Sequence, residues 1–269
     1  MAKIRRLFLM VTAIMMIGFA ACDKKSSSSN NGGDGGGTNG NSTVIEGKNI
    51  LVKEGSDNNV NFVKLMAWDE YDNETVLASA PYQNHSFKLT LPTTVDGKLL
   101  YEVSESFGWI KDNEHVNVTN FNISNSKAQW CDYMILCAFQ NNNHIGSFDY
   151  GEIDEHDVMD GEDYLSYNDT YVEWVYSDKD VTINISYTYS YGEYIDNCNY
   201  NLTLKQGWNW VYCNDIKNNK TYTCNYTSQK PNNATYKWYF YGDDDDDNYS
   251  KNLQKSHSHK AKFGKKLKK

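Results

Sequence analysis

Val181-Thr182-Ile183-Asn184-Ile185-Ser186-Tyr187 is the stretch that decides the fold class. Apolar side chains fall on every second residue, with small polar ones between them. That is the pattern of a strand with one face buried and the other wet. Tyr200, Leu202 and Leu204 alternate in the same way with Asn201 and Thr203, and Phe87, Leu89 and Leu91 with Ser86, Lys88 and Thr90. Similar runs lie at 49–54, 61–68, 74–80, 116–123, 128–139, 171–177, 208–213, 220–227 and 235–241. Between them sit clusters of Asn, Asp and Gly, as at 56–59, 111–114, 141–143, 196–197, 214–219 and 231–233. The chain holds 32 Asn against 3 Pro. Asn tolerates left-handed turn backbone and is therefore expected to replace the missing prolines at turns. No amphipathic pattern is longer than two helical turns. About twelve strands at hairpin spacing predict an all-β chain, an antiparallel β-sandwich or barrel. The body, 44–241, is long enough for one large sandwich or for two small ones packed together and divided near 95–115.

Composition excludes other classes. The 7 Trp, 21 Tyr and 10 Phe with only 3 Pro rule out a disordered or collagen-like chain, which has no large apolar side chains to bury. The formal charge is -9, and Arg5 and Arg6 are the only arginines. A body without the guanidinium fork and with excess acid repels a phosphate backbone, so no nucleic-acid partner is expected.

Lys3, Arg5 and Arg6 precede the apolar run Leu7 to Ala21, which ends at Cys22. A basic start, a short apolar stretch and small residues before a cut predict a signal peptide over 1–21, too short to span hydrocarbon as a helix. Phe19-Ala20-Ala21-Cys22 resembles a bacterial lipobox, with Phe19 where Leu is usual. The resemblance implies cleavage before Cys22, diacylation of its sulfur and acylation of the new amine. More than one chain gives stable membrane anchoring. Residues 22–43, rich in Ser, Asn and Gly, read as a flexible tether.

Phe62-Val63-Lys64-Leu65, Thr75 to Ala80 and Ser86 to Pro92 resemble the strands of a transthyretin-like, carboxypeptidase-regulatory sandwich. The chain also resembles a group of Bacteroidetes-type lipoproteins through 78–81, 87–92, 204–209 and 237–240 (Ala-Ser-Ala-Pro, Phe-x-Leu-x-Leu-Pro, Leu-Lys-x-Gly-Trp-Asn and Lys-Trp-Tyr-Phe). The group has no assigned chemistry. The resemblance implies an outer-membrane or cell-surface location and a sandwich fold.

The candidate sites are few. Asp154, Asp157 and Asp160 belong to a stretch with eight acids between 149 and 163, where hard oxygen ligands could hold Ca²⁺, but the spacing does not match the known loop. An exposed acidic loop is the alternative. Apart from Cys22, five cysteines remain: Cys131, Cys137, Cys198, Cys213 and Cys224. A two-residue turn at Asn218-Asn219 would put Cys213 opposite Cys224, within disulfide range, or leave both as small buried apolar groups. At least one thiol stays free. None of the six histidines sits in a zinc-peptidase motif or near a nucleophile elbow, and no cofactor is implied. Trp208, Trp210 and Tyr212 share a strand face, either as core or as a stacking row for sugar rings. Trp238 and Phe240 share another. After Asp243 to Asp247, residues 248–269 carry eight lysines and no acid, whereas 44–247 holds 33 acids and 13 bases. The tail, 242–269, is expected to be solvated and disordered, or to lie on the acidic body or on anionic surface polymer. The expected function is a non-catalytic, lipid-anchored envelope protein that captures a glycan or other polymer or holds a surface-protein partner. A fimbrial subunit is the alternative, although no arginine lies beyond Arg6 for the usual maturation cut. A glycan-cleaving enzyme comes last.

Overall fold

The computed structural model of the chain describes residues 43–153 and 166–242. Cys22, almost all of the expected tether, the acidic-loop candidates Asp154, Asp157 and Asp160, and the tail beyond Gly242 lie outside the described residues.

The described chain is all-β. In order it forms β1 (Val44–Gly47), β2 (Leu51–Glu54), β3 (Phe62–Trp68), β4 (Glu74–Pro81), β5 (Phe87–Thr90) and β6 (Tyr101–Glu102). Two four-residue helices follow, α1 (Val103–Ser106) and α2 (Gly108–Lys111). Then come β7 (Val116–Ile123), β8 (Gln129–Cys131), β9 (Met134–Gln140), β10 (Asn143–Glu152), β11 (Ser166–Ser177) and β12 (Val181–Tyr191). The last four are β13 (Tyr194–Leu204), β14 (Gly207–Asn218), β15 (Thr221–Thr227) and β16 (Lys237–Gly242). The run read at 128–139 is two strands, β8 and β9, and β1, β6 and β10 are strands beyond the twelve expected.

Two packing centres result. In the first, the strand pair β1–β5 faces β3, β9, β10 and β16, with Ile45, Leu89, Leu65, Leu136, Phe148 and Phe240 fully enclosed. In the second, β7, β12, β13, β15, β14 and β11 are neighbours in that order and bury Ile183, Ile185, Leu202 and Val211 against Val103, Phe107 and Ile110 of the two helices. Trp130 of β8 joins them, its Nε1 donating to Ser106 Oγ at 2.9 Å. No single cut near 95–115 separates the centres, because β9, β10 and β16 all return to the first.

The pair β11–β14 is common to both. Its residues Val175, Val211 and Cys213 belong to the second core, while Val172 and Trp174 belong to the first, with Trp208, Trp210 and Tyr212 packed against it. Period-two alternation therefore serves two apolar layers here instead of a wet and a dry one.

Asn does supply turns: Asn49, Asn84, Asn141 and Asn219 take positive φ. Many more asparagines stand within strands, on the outward face of β7, β12, β13, β14 and β15.

The cysteine pairing differs from expectation. The β14–β15 register sets Asn218 opposite Thr221, so the turn falls at Asn219-Lys220, one residue later than expected. Cys213 then faces Tyr226, not Cys224. Cys224 instead lies in register with Cys198 across the parallel β13–β15 ladder, and these two form the disulfide, with Cα atoms 4.8 Å apart. Cys131, Cys137 and Cys213 are buried and are not part of that bridge. Burial pushes the Cys131 thiol up to about 12.

Candidate functional site

A line of aromatic side chains belongs to the first packing centre, on the face of β11 and β14 turned away from the second. Trp174 of β11, Trp210 and Tyr212 of β14, Tyr150 of β10, Trp238 of β16 and Tyr236 just before it are in ring contact. Trp174 stacks on Trp238 at 5.9 Å and 7° and meets Trp210 edge-on at 5.7 Å. Tyr150 stacks on Trp238 at 4.9 Å, and Tyr236 touches both Tyr150 and Tyr212. Trp174 and Trp238 are buried, whereas Tyr150, Trp210, Tyr212 and Tyr236 keep part of their surface in solvent. The result is an aromatic cluster with two buried rings and four half-buried ones.

Its polar atoms are distinctive. Trp174 Nε1 and Tyr236 Oη are buried with no hydrogen-bond partner among the described residues. A buried donor left unmade costs about 1–3 kcal/mol. Burial, then Tyr212, raises the Tyr236 hydroxyl well above the usual tyrosine range. Lys230 Nζ lies 5.7 Å over the Tyr236 ring at the rim.

The row Trp208, Trp210 and Tyr212 does share one face, but it is not an open platform. Trp208 donates from Nε1 to the Pro92 carbonyl at 2.6 Å and packs edge-on against Tyr176. Of the three, Trp210 and Tyr212 touch rings of the cluster, Trp174 and Tyr236. Trp238 and Phe240 point together into the first core. Tyr150, Trp174 and Tyr236 were not legible as site residues, because their grouping depends on β10 and β16 crossing over β11 and β14.

Comparison with family models, curated protein sequences and solved structures finds no match.

Two further constellations hold buried carboxylates. Asp57, in the 3-10 turn Asp57–Asn59, accepts from Tyr82 Oη at 2.6 Å and from His85 Nδ1 at 2.5 Å. The register that makes this possible is the two-residue turn Asn84-His85, both at positive φ, closing Gln83 against Ser86. The His85 side chain is 58% exposed, so this pair clamps the hairpin to the turn and leaves the rest of the imidazole in solvent. On the second core's inner face, Asp215 accepts from Tyr171 Oη at 2.9 Å and Tyr222 Oη at 2.5 Å. Burial, then the Asp215 charge, raises both phenols well above the usual range. Among the described residues no group of three or more His, Cys, Asp or Glu is placed to hold a metal ion.

Proposed function

We propose that this chain is a lipid-anchored, non-catalytic cell-envelope protein that holds an extracellular polymer, with a glycan as the favoured class. The observation that carries the reading is the group of half-buried rings Tyr150, Trp210, Tyr212 and Tyr236. Sugars present apolar C–H faces, and rings that keep part of their surface in solvent can receive them. The Cys198–Cys224 disulfide supports an oxidising compartment, in keeping with the leader and its lipobox. Outer-membrane or surface attachment through Cys22 follows from that same leader.

Two measurements test the reading. Glycan-array binding by the full-length chain in detergent micelles is expected to give at least one hit that Trp210→Ala weakens by about tenfold or more, in line with aromatic stacking terms. An array without hits defeats polymer capture. For the anchor, Cys22→Ala is expected to abolish acyl labelling and move the chain into the soluble fraction. Retention on membranes after a high-salt wash defeats it.

A further inference from the structure

The outward face of the second sheet is a grid of uncharged amides and hydroxyls. Cross-strand registers from β7 through β12, β13, β15 and β14 to β11 align Asn120, Ser186, Asn199, Asn225, Asn214 and Thr170 in one row. One row to one side stand Asn117, Thr188, Asn197, Thr223, Ile216 and Asn168. On the other side Asn122, Asn184, Asn201 and Thr227 lead to Tyr212, a member of the aromatic cluster. Rows repeat at about 7 Å along the strands and about 4.8 Å across them.

No charged side chain stands on these three rows, although 23% of the chain is charged. A wet sheet face needs polar residues, but solubility alone is served as well or better by Lys and Glu, which other wet positions here use, such as Lys64 and Lys88. The grid is also pre-ordered. Asn199 Nδ2 donates to Asn225 Oδ1 at 3.0 Å, Thr188 Oγ1 to Asn197 Oδ1 at 3.0 Å, and Asn214 Nδ2 to Asn168 Oδ1 at 2.8 Å. Asn117, Asn120, Asn122, Asn199 and Asn201 are exposed.

We propose that this grid is an extended docking face for a neutral polysaccharide, continuous with the half-buried aromatic cluster at Tyr212. The inference rests on the polymer-capture reading and names the polymer's chemistry. An acidic polymer would find neither Lys nor Arg on these rows to neutralise it. A protein partner would find almost none of the large apolar anchors that dominate such interfaces. Amides donate and accept at once, as sugar hydroxyls do, and side chains already held by one another lose little freedom on binding.

The test is affinity electrophoresis of the full-length chain in detergent micelles through gels containing laminarin, an α-mannan, xyloglucan or galactomannan, with polygalacturonate as the acidic comparison. At least one neutral polymer is expected to retard the chain, and polygalacturonate none. The double variant Asn199→Asp/Asn201→Asp, both exposed, is expected to weaken retardation about tenfold at unchanged melting temperature. If that pair lowers the melting temperature, Asn120→Asp/Asn122→Asp on the edge strand replaces it. Retention of wild-type affinity in these variants while Trp210→Ala abolishes binding overturns the grid and leaves polymer capture standing. Absence of binding to every neutral polymer, or equal binding to polygalacturonate, overturns the proposal. So does self-association of the wild type that the double variant abolishes, which would make the face a contact between copies.

Discussion

Two halves of the same strand pair carry opposite outward chemistry. Along β11 and β14, residues 172–176 and 208–212 turn Val172, Trp174, Tyr176, Trp208, Trp210 and Tyr212 outward, beneath the first core. A few residues further, at 166–170 and 214–218, the same face shows Asn168, Thr170, Asn214, Ile216 and Asn218. The ladder runs unbroken through both halves. What changes is the packing above the ladder, since apolar clusters of the first core and its flank lie against 172–176 and 208–212. Side-chain character follows the neighbour above the sheet, while the backbone pairing stays constant.

The largest effect expected from this contrast comes from its covered half. Trp174→Ala removes a buried ring stacked on Trp238 and should cost about 3–5 kcal/mol, whereas Thr170→Ala on the same strand should stay within about 0.5 kcal/mol. Urea denaturation of the two variants checks it, and equal losses would erase the distinction between the halves.

The disulfide tests the inner face. Closing a loop with a sequence separation of 26 should contribute about 3.5 kcal/mol, so Cys224→Ala and Cys198→Ala should lose similar stability, while Cys213→Ala retains the bridge. Peptide mapping after alkylation without reduction should find label on Cys131, Cys137 and Cys213 once the chain is denatured. A Cys213–Cys224 peptide would show that the β14–β15 turn lies where the sequence pattern first suggested.

A smaller, pH-dependent effect separates the inner face from the outer one. Burial raises the phenols of Tyr171, Tyr222 and Tyr226 and the Cys131 thiol above their unfolded values. The stability tied to keeping them neutral is complete below their unfolded pKa values, about 8.5 for the thiol and about 10 for the phenols, and is lost as pH rises through the folded ones. Melting temperature should therefore fall steadily above about pH 9, and phenolate absorbance from these tyrosines should appear only with unfolding. Substituting the outward Asn199 by Asp should not alter the slope, since that position has no buried proton to release.

Strand content was legible wherever one layer was wet. Val181 to Tyr187 and Tyr200 to Leu204 announced β12 and β13 because their outward residues are small and polar. β10 was not legible. Gly146, Asp149 and Gly151 interrupt its alternation, and the glycines are there for close approach: a Cβ on Gly146 would lie 2.2 Å from the Tyr241 carbonyl oxygen. The row Trp208, Trp210 and Tyr212 was visible as a face, but its cover was not, since Tyr150 and Trp238 come from strands distant in sequence. Asn was read chiefly as a turn former, and only the cross-strand registers show how many asparagines line up on one sheet face.

The position of β16 governs how the chain can be made. It lies between β10 and β2, antiparallel to the first and parallel to the second, so the last described strand completes a sheet whose other members precede it by up to nearly the whole body. A chain emerging from its N-terminus cannot close that sheet until residues 237–242 arrive. Until then β10 and β2 hold open hydrogen-bonding edges, the feature that draws chains into edge-to-edge aggregation. Such distant pairing also makes folding slow, because loop closure precedes the contacts that reward it. A chain cut short before Lys237 would thus retain nearly every strand and still fail as a soluble product.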